Sequence, residues 1–153
     1  MGNLARDNRD NPVGRRDPIA DAAIGDNKAV VQAYVAALNA GDFGRLRGLF
    51  APDAVIYGAL GWGSLDEVLP GWYDLHHGLA QKLEIEAIIG EGDTVAVRYR
   101  ESGAFVGPYR GQMPTDRSYE LVAIEWFEIR EGKIRRRWGA RDSASQARQL
   151  GMQ

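Results

Sequence analysis

At Lys82 the chain changes its hydrophobic period, and this change constrains the fold more than any other feature of the sequence. Before it, apolar residues recur every three or four positions, as on one face of a helix; after it they alternate, as on a strand with one buried face. Helices gathered ahead of the strands predict an α+β domain in which the helices cover one face of a curved antiparallel sheet. With 153 residues, 44% of them hydrophobic, the chain has material for one such core and no second domain.

The helical half resolves into three pieces. Asp26 is a plausible N-cap for a helix carrying Val30, Val31, Tyr34, Val35 and Leu38, stopped by Asn39-Ala40-Gly41. Residues 42–50 predict a second short helix that ends before Pro52, and residues 54–57 a short strand. Ser64 and Glu67 have capping-box spacing ahead of a third helix with Val68, Leu69, Trp72, Leu75, His76 and Leu79, in which Pro70 is expected to introduce a kink. Residues 1–25 mix Asp, Asn, Arg and Pro without an apolar run and predict a disordered arm, leaving 26–153 as the domain.

The alternating half predicts two hairpins, 82–89 with 94–105 and 119–129 with 133–140, whose turns contain Gly90, Gly92 and Gly132. Residues 107–117 form a rim loop and 143–150 a closing helix. Alternation places Leu83, Ile85, Ala87, Ile89, Val95, Val97, Tyr99, Leu121, Ala123 and Phe127 toward the helices. The opposite face holds Glu84 and Glu86 near Arg98 and Arg100, together with Glu120, Val122, Ile124 and Trp126, and this mixture of ion pairs and apolar area suggests a homodimer surface.

Several function classes are disfavoured. A net charge of −2 with both signs interspersed leaves no electrostatic footprint for nucleic acid. No apolar run is long enough for a membrane span or a signal-peptide core, so the cytoplasm is the expected compartment. The absence of cysteine excludes disulfides, thiolate catalysis and Cys-based zinc sites, and the two adjacent histidines with Asp74 lack a convincing metal spacing.

Six segments taken together resemble the SnoaL-like polyketide cyclases of the nuclear transport factor 2-like superfamily. They are Leu38-Asn39-Ala40-Gly41, Phe50-Ala51-Pro52-Asp53, Gly71-Trp72, Met113-Pro114-Thr115-Asp116-Arg117, Glu131-Gly132-Lys133-Ile134 and Arg148-Gln149-Leu150-Gly151. The resemblance runs from the first helix to the end of the chain. It implies a cone-shaped, cofactor-free homodimer in which each protomer binds a polyketide-derived or aromatic small molecule between helices and sheet. It also implies an enzyme of secondary metabolism in which a carboxylate moves protons for ring closure; such a carboxylate works best in an apolar pocket, with donors to hold a developing enolate. At the place of the family's last-strand aspartate, counted from Ile134 without a slip near Trp138, this chain has Gly139, so ring closure by epoxide opening, or a pericyclic closure templated by shape, fits as well as an aldol step; at two pocket histidines of the family it has Glu125 and Arg137.

Glu125 therefore becomes the preferred acid–base group, on the apolar side of its strand; the alternative is a structural ion pair with Arg135 or Arg137. Asp142 is a second carboxylate, with an equally complete explanation as N-cap of the closing helix, and Glu101 reads as a carboxylate on the pocket rim. His77 or His76 is a possible proton relay, or merely a satisfied helix residue. Tyr34, Tyr57, Trp62, Trp72 and Tyr99 are expected to line a cavity for a flat ligand, joined by Arg137 and Trp138 from the last strand, although ordinary packing also accounts for each. The competing function is a non-catalytic ligand-binding or interaction module, because fold alone decides no activity.

Overall fold

The computed structural model describes residues 17–153. The elements follow in the order α1 (Pro18–Ala40), α2 (Phe43–Gly48), β1 (Phe50–Gly58), β2 (Gly61–Ser64), α3 (Leu65–Leu79), β3 (Lys82–Glu91), β4 (Thr94–Ala104), β5 (Ser118–Arg130), β6 (Lys133–Arg141) and α4 (Ser143–Leu150). Six strands form one open, curved sheet in the order β2-β1-β6-β5-β4-β3. The sheet is mixed, a departure from the antiparallel expectation: β6 runs parallel to β1, while every other neighbouring pair is antiparallel. Among the described residues no helix is long and apolar enough to cross a membrane.

Three local expectations are corrected. The first helix starts at Asp17, not Asp26: the Asp17 carboxylate accepts the Ile19 N–H at 3.0 Å and Pro18 opens the first turn. Gly25 is carried inside that helix, at a cost of about 1 kcal/mol relative to alanine. The part of the predicted arm in residues 1–16 lies outside the described residues. The second helix stops at Gly48, so that Phe50 opens β1 opposite Ile134, and a short strand, β2, pairs Trp62 with Tyr57. Nothing in the glycine-rich run 58–63 marks a strand; Gly61, at φ 97°, supplies the turn that brings it back on β1.

On β3 the ladder slips at Glu86, where Ile85 faces Tyr99 and Ala87 faces Arg98. One inserted residue reverses every side chain beyond it, so Ile88 turns inward while Ala87 and Ile89, expected in the core, are exposed. The predicted ion pairs across the outer face are present, Arg98 with Glu86 at 3.4 Å and Arg100 with Glu84 at 2.5 Å.

The Ser64–Glu67 capping box is formed in both directions, the Ser64 N–H donating to Glu67 at 2.7 Å and the Glu67 N–H to Ser64 at 3.3 Å. The bond from the Ser64 N–H holds the Glu67 carboxyl below its ordinary pKa. The helix runs on through Pro70 without interruption. At the end of α1, Asn39 acts as a clamp: its amide donates to the Leu83 carbonyl and accepts the Leu83 N–H, both at 2.8 Å, fixing the helix to the start of β3. Tyr34, Phe50, Trp72 and Phe127 meet edge to face or tilted between helices and sheet and form the centre of the core.

Candidate active site

Between α1, α3 and the inner face of the sheet lies a cavity of about 550 Å³, within the range of small-molecule sites. Leu38, Ile56, Val68, Leu75 and Leu83 give it an apolar wall; Tyr34, Trp72, Glu125, Arg137, Glu101 and Arg141 also line it. Its mouth is edged by the β1–β2 turn at Leu60 and Gly61 and by Tyr109 and Arg110 of the loop after β4.

Glu125 lies inside, as its alternation with Ile124 and Trp126 requires, and is 6% exposed. It does not stand alone among apolar neighbours. Oε1 accepts the Tyr34 hydroxyl at 3.2 Å and Nη2 of Arg137, and Oε2 accepts the Tyr99 hydroxyl at 3.0 Å. Arg137 lies over the Trp72 ring, 5.1 Å from its centroid, and donates from Nη1 to the Tyr57 carbonyl at 3.3 Å; its buried Nε has no acceptor. Burial by itself would lower the pKa of Arg137, but Glu125 beside it reverses the sign and holds the guanidinium firmly protonated. Burial is the main cause that raises both phenols, Tyr34 and Tyr99, far above the ordinary tyrosine value, and the Glu125 charge adds to it. The Arg137 ion pair anticipated as the structural alternative is thus present in the same cavity wall as the proposed acid–base group.

Glu101 is not on the rim. It is 1% exposed on β4 and belongs to a second buried cluster. Arg141 donates from Nε to its Oε2 at 3.0 Å and from Nη2 to Oε1, while Tyr119 at 2.8 Å and Gln81 at 2.7 Å also donate to Oε1. Four donors outweigh the exposure expected of a lone carboxylate near a strand end. Arg141 lies one residue beyond the strand end at Ala140 that the alternation predicts; its signal in the sequence is its place four positions after Arg137, on the same side of a strand, whereas Gln81 and Tyr119 carry no local signal.

The structure does not bring Asp142, His76, His77, Tyr57 or Trp138 into the cavity. Asp142 is exposed and caps α4, its carboxylate accepting the Ser145 N–H at 2.8 Å. His76 and His77 face away from the cavity, toward α2: both rings pack against Phe43, and His77 stacks on Tyr73 at 3.8 Å and bonds the Tyr73 carbonyl through Nδ1. Adjacent helix positions had suggested that one would look into the pocket; the ring of His76 instead fills the space above Gly41, where no side chain competes for it. Tyr57 and Trp138 are displaced to the outer face by strand alternation, where Trp62 contacts both at 4.9 and 5.8 Å. Trp62 nonetheless reaches the edge of the cavity, and Tyr34 and Trp72 line it as expected. Tyr99 meets the site through its hydroxyl on Glu125.

Residues 28–150 match the family model described as SnoaL-like polyketide cyclase. The chain belongs to that family. SnoaL-like relatives of known structure include IdmH of Streptomyces antibioticus, a candidate polyketide cyclase, at 26% identity over 82% of this chain and 99% of that one, with a TM-score of 0.72. AclR of Streptomyces galilaeus, a candidate hydroxylase, superposes with a TM-score of 0.77 at 23% identity, covering 84% of this chain and 97% of the other. A candidate polyketide cyclase of Xanthomonas campestris gives 0.76 at 20% identity, covering 83% and 98%. No curated protein matches the sequence. Within this SnoaL-like chain, Gly139 faces the cavity directly opposite Glu125, and a Cβ there would stand 2.6 Å from Nη2 of Arg137. The guanidinium fills the volume into which a side chain at 139 would project.

Proposed function

We propose that the chain is a cofactor-free enzyme of polyketide or related secondary metabolism that moves a proton on a small apolar ketone and closes a ring within it. The observation that carries this reading is a carboxylate on the floor of an apolar cavity, bonded to a guanidinium that still has an unused N–H. Oε2 of Glu125 accepts only one hydrogen bond and keeps a lone pair for a proton. In the step we envisage, a C–H bond next to a substrate carbonyl breaks, its proton passes to Glu125, and the electron pair moves onto the carbonyl oxygen, whose developing charge the nearby Arg137 guanidinium stabilises. The enolate carbon then bonds to a second carbonyl of the same molecule, and the resulting alkoxide recovers the proton from Glu125. The overall change is an isomerisation and needs no outside oxidant or reductant.

The full matching of Glu125 by Arg137 also favours a second reading, a ligand-binding module in which the pair is structural. The test is turnover by Glu125→Gln. A catalytic base predicts loss of product with ligand affinity retained; unchanged turnover would remove Glu125 from the chemistry, and a wild-type protein that binds without converting any ligand would support the module. We further propose that the protein works in the cytoplasm as a homodimer joined through the outer face of the sheet. Trp62, Tyr57, Trp138, Trp126, Ala96 and Ile89 are in register across all six strands of that face, an apolar row bordered by the Glu–Arg pairs.

A further inference from the structure

The Glu101–Arg141 cluster has no part in the proton transfer proposed above, yet it lines the same cavity. A buried ion pair gains little over well-packed apolar residues, so stability alone does not account for a second one in the same cavity. The cluster also has capacity to spare. Nη1 of Arg141 bonds no acceptor among the described residues, and neither does the side-chain oxygen of Gln81 bond a donor, although both residues line the cavity. Arg141 remains 17% exposed while the carboxylate it holds is sealed.

Arg137 and Arg141 lie four positions apart on β6; Arg137 leans diagonally to Glu125 on the adjacent β5, while Arg141 reaches across β5 to Glu101 on β4. At about 3.3 Å per residue the two clusters are roughly 13 Å apart along the strand. Between them the floor is formed by Ala123, while Gly139 lies under the Arg137 guanidinium. The two carboxylates and two guanidiniums of these clusters neutralise one another, so neither cluster presents a net charge to a ligand.

We propose that Arg141 and Gln81, held by Glu101, form a second binding station that takes a hydroxyl at the far end of an elongated, flat, uncharged ligand. Arg141 donates to that hydroxyl and the Gln81 oxygen accepts from it. The ligand presents its other oxygen function to Arg137. A single ring cannot span the two stations; three or four fused rings bearing oxygens at opposite ends can. This deepens the reading of the cavity as a small-molecule site and does not depend on Glu125 acting as a base.

The experiment measures binding of 2,6-dihydroxyanthraquinone and 2-hydroxyanthraquinone by quenching of tryptophan fluorescence, since Trp62 and Trp72 both line the cavity. The wild type should prefer the two-ended probe by about tenfold, the value of one hydrogen bond in a shielded site. Gln81→Met, which leaves the Glu101–Arg141 pair intact, and the paired substitution Glu101→Met with Arg141→Met should each abolish the preference while leaving the single-ended probe bound within about twofold. Equal affinity of the wild type for both probes, failure to bind either, or a preference that survives both substitutions would overturn the second station. Glu125→Gln should retain the preference whatever becomes of turnover, which separates this inference from the catalytic one.

Discussion

Glu125 and Gly139 face each other across β5 and β6, and the guanidinium that neutralises the first occupies the space a side chain on the second would fill. The two positions are therefore one design. A glycine opposite the carboxylate lets Arg137 fold back along its own strand, and an acidic residue at 139 would have to displace it.

Gly139→Ala should accordingly behave as a partial loss of Arg137. The added Cβ, 2.6 Å from Nη2, pushes the guanidinium off Glu125, and we expect a stability loss of about 1–3 kcal/mol and a fall in turnover. Denaturant unfolding and product formation measure the two effects. A fully stable, fully active alanine variant would mean that the guanidinium has another place to go.

The Glu125–Arg137 pair should show strong coupling in a double-mutant cycle. Arg137→Met alone leaves a buried carboxylate without its counter-charge and should cost about 3–5 kcal/mol; Glu125→Gln with Arg137→Met together should recover most of it. Urea midpoints give the cycle. Additive effects would show that the two side chains are not held together in solution.

Three buried phenols predict an alkaline limit to stability. Tyr34, Tyr99 and Tyr119 are raised from the ordinary 10.0, chiefly by burial, so the folded chain keeps protons that the unfolded chain releases above about pH 10. A raised pKa in the folded state means stability is complete below the unfolded value and falls as pH climbs past it. Ultraviolet titration should show these three phenols silent until the chain unfolds, and thermal midpoints should drop steadily above pH 10. A full tyrosine signal from a folded protein would contradict their burial.

The outer face should respond to charge. Trp126 is half exposed amid Ile124 and Val122, and Trp126→Glu should convert a sedimenting dimer into a monomer while leaving the cavity floor intact. Sedimentation velocity reads the mass directly. A wild type that sediments as a single chain would remove the dimer.

The class of fold and most of its elements were legible in the sequence, because period and turn chemistry are local properties. Ser64 and Glu67, the glycine turns and the last helix behave as their neighbours dictate. The places where the reading failed are those at which a partner strand or helix decides. Trp62 becomes a strand residue only because Tyr57 lies opposite, and Ile89 is turned outward only because of a bulge at Glu86. His76 turns toward Gly41, a neighbour supplied by another helix.

The same division holds at the site. Alternation along one strand sufficed to put Glu125 on the apolar face, with Arg135 or Arg137 as its possible partner. Whether the carboxylate is solitary or matched, whether Glu101 is rim or core, and which of the twelve candidates share a cavity depend on distances between residues up to 91 positions apart, as Tyr34 and Glu125 are. Outside the bulge on β3 the sequence by itself determined the faces, since side-chain direction follows from backbone period; only the tertiary structure decided the partners, since a buried charge takes whichever donors packing delivers to it.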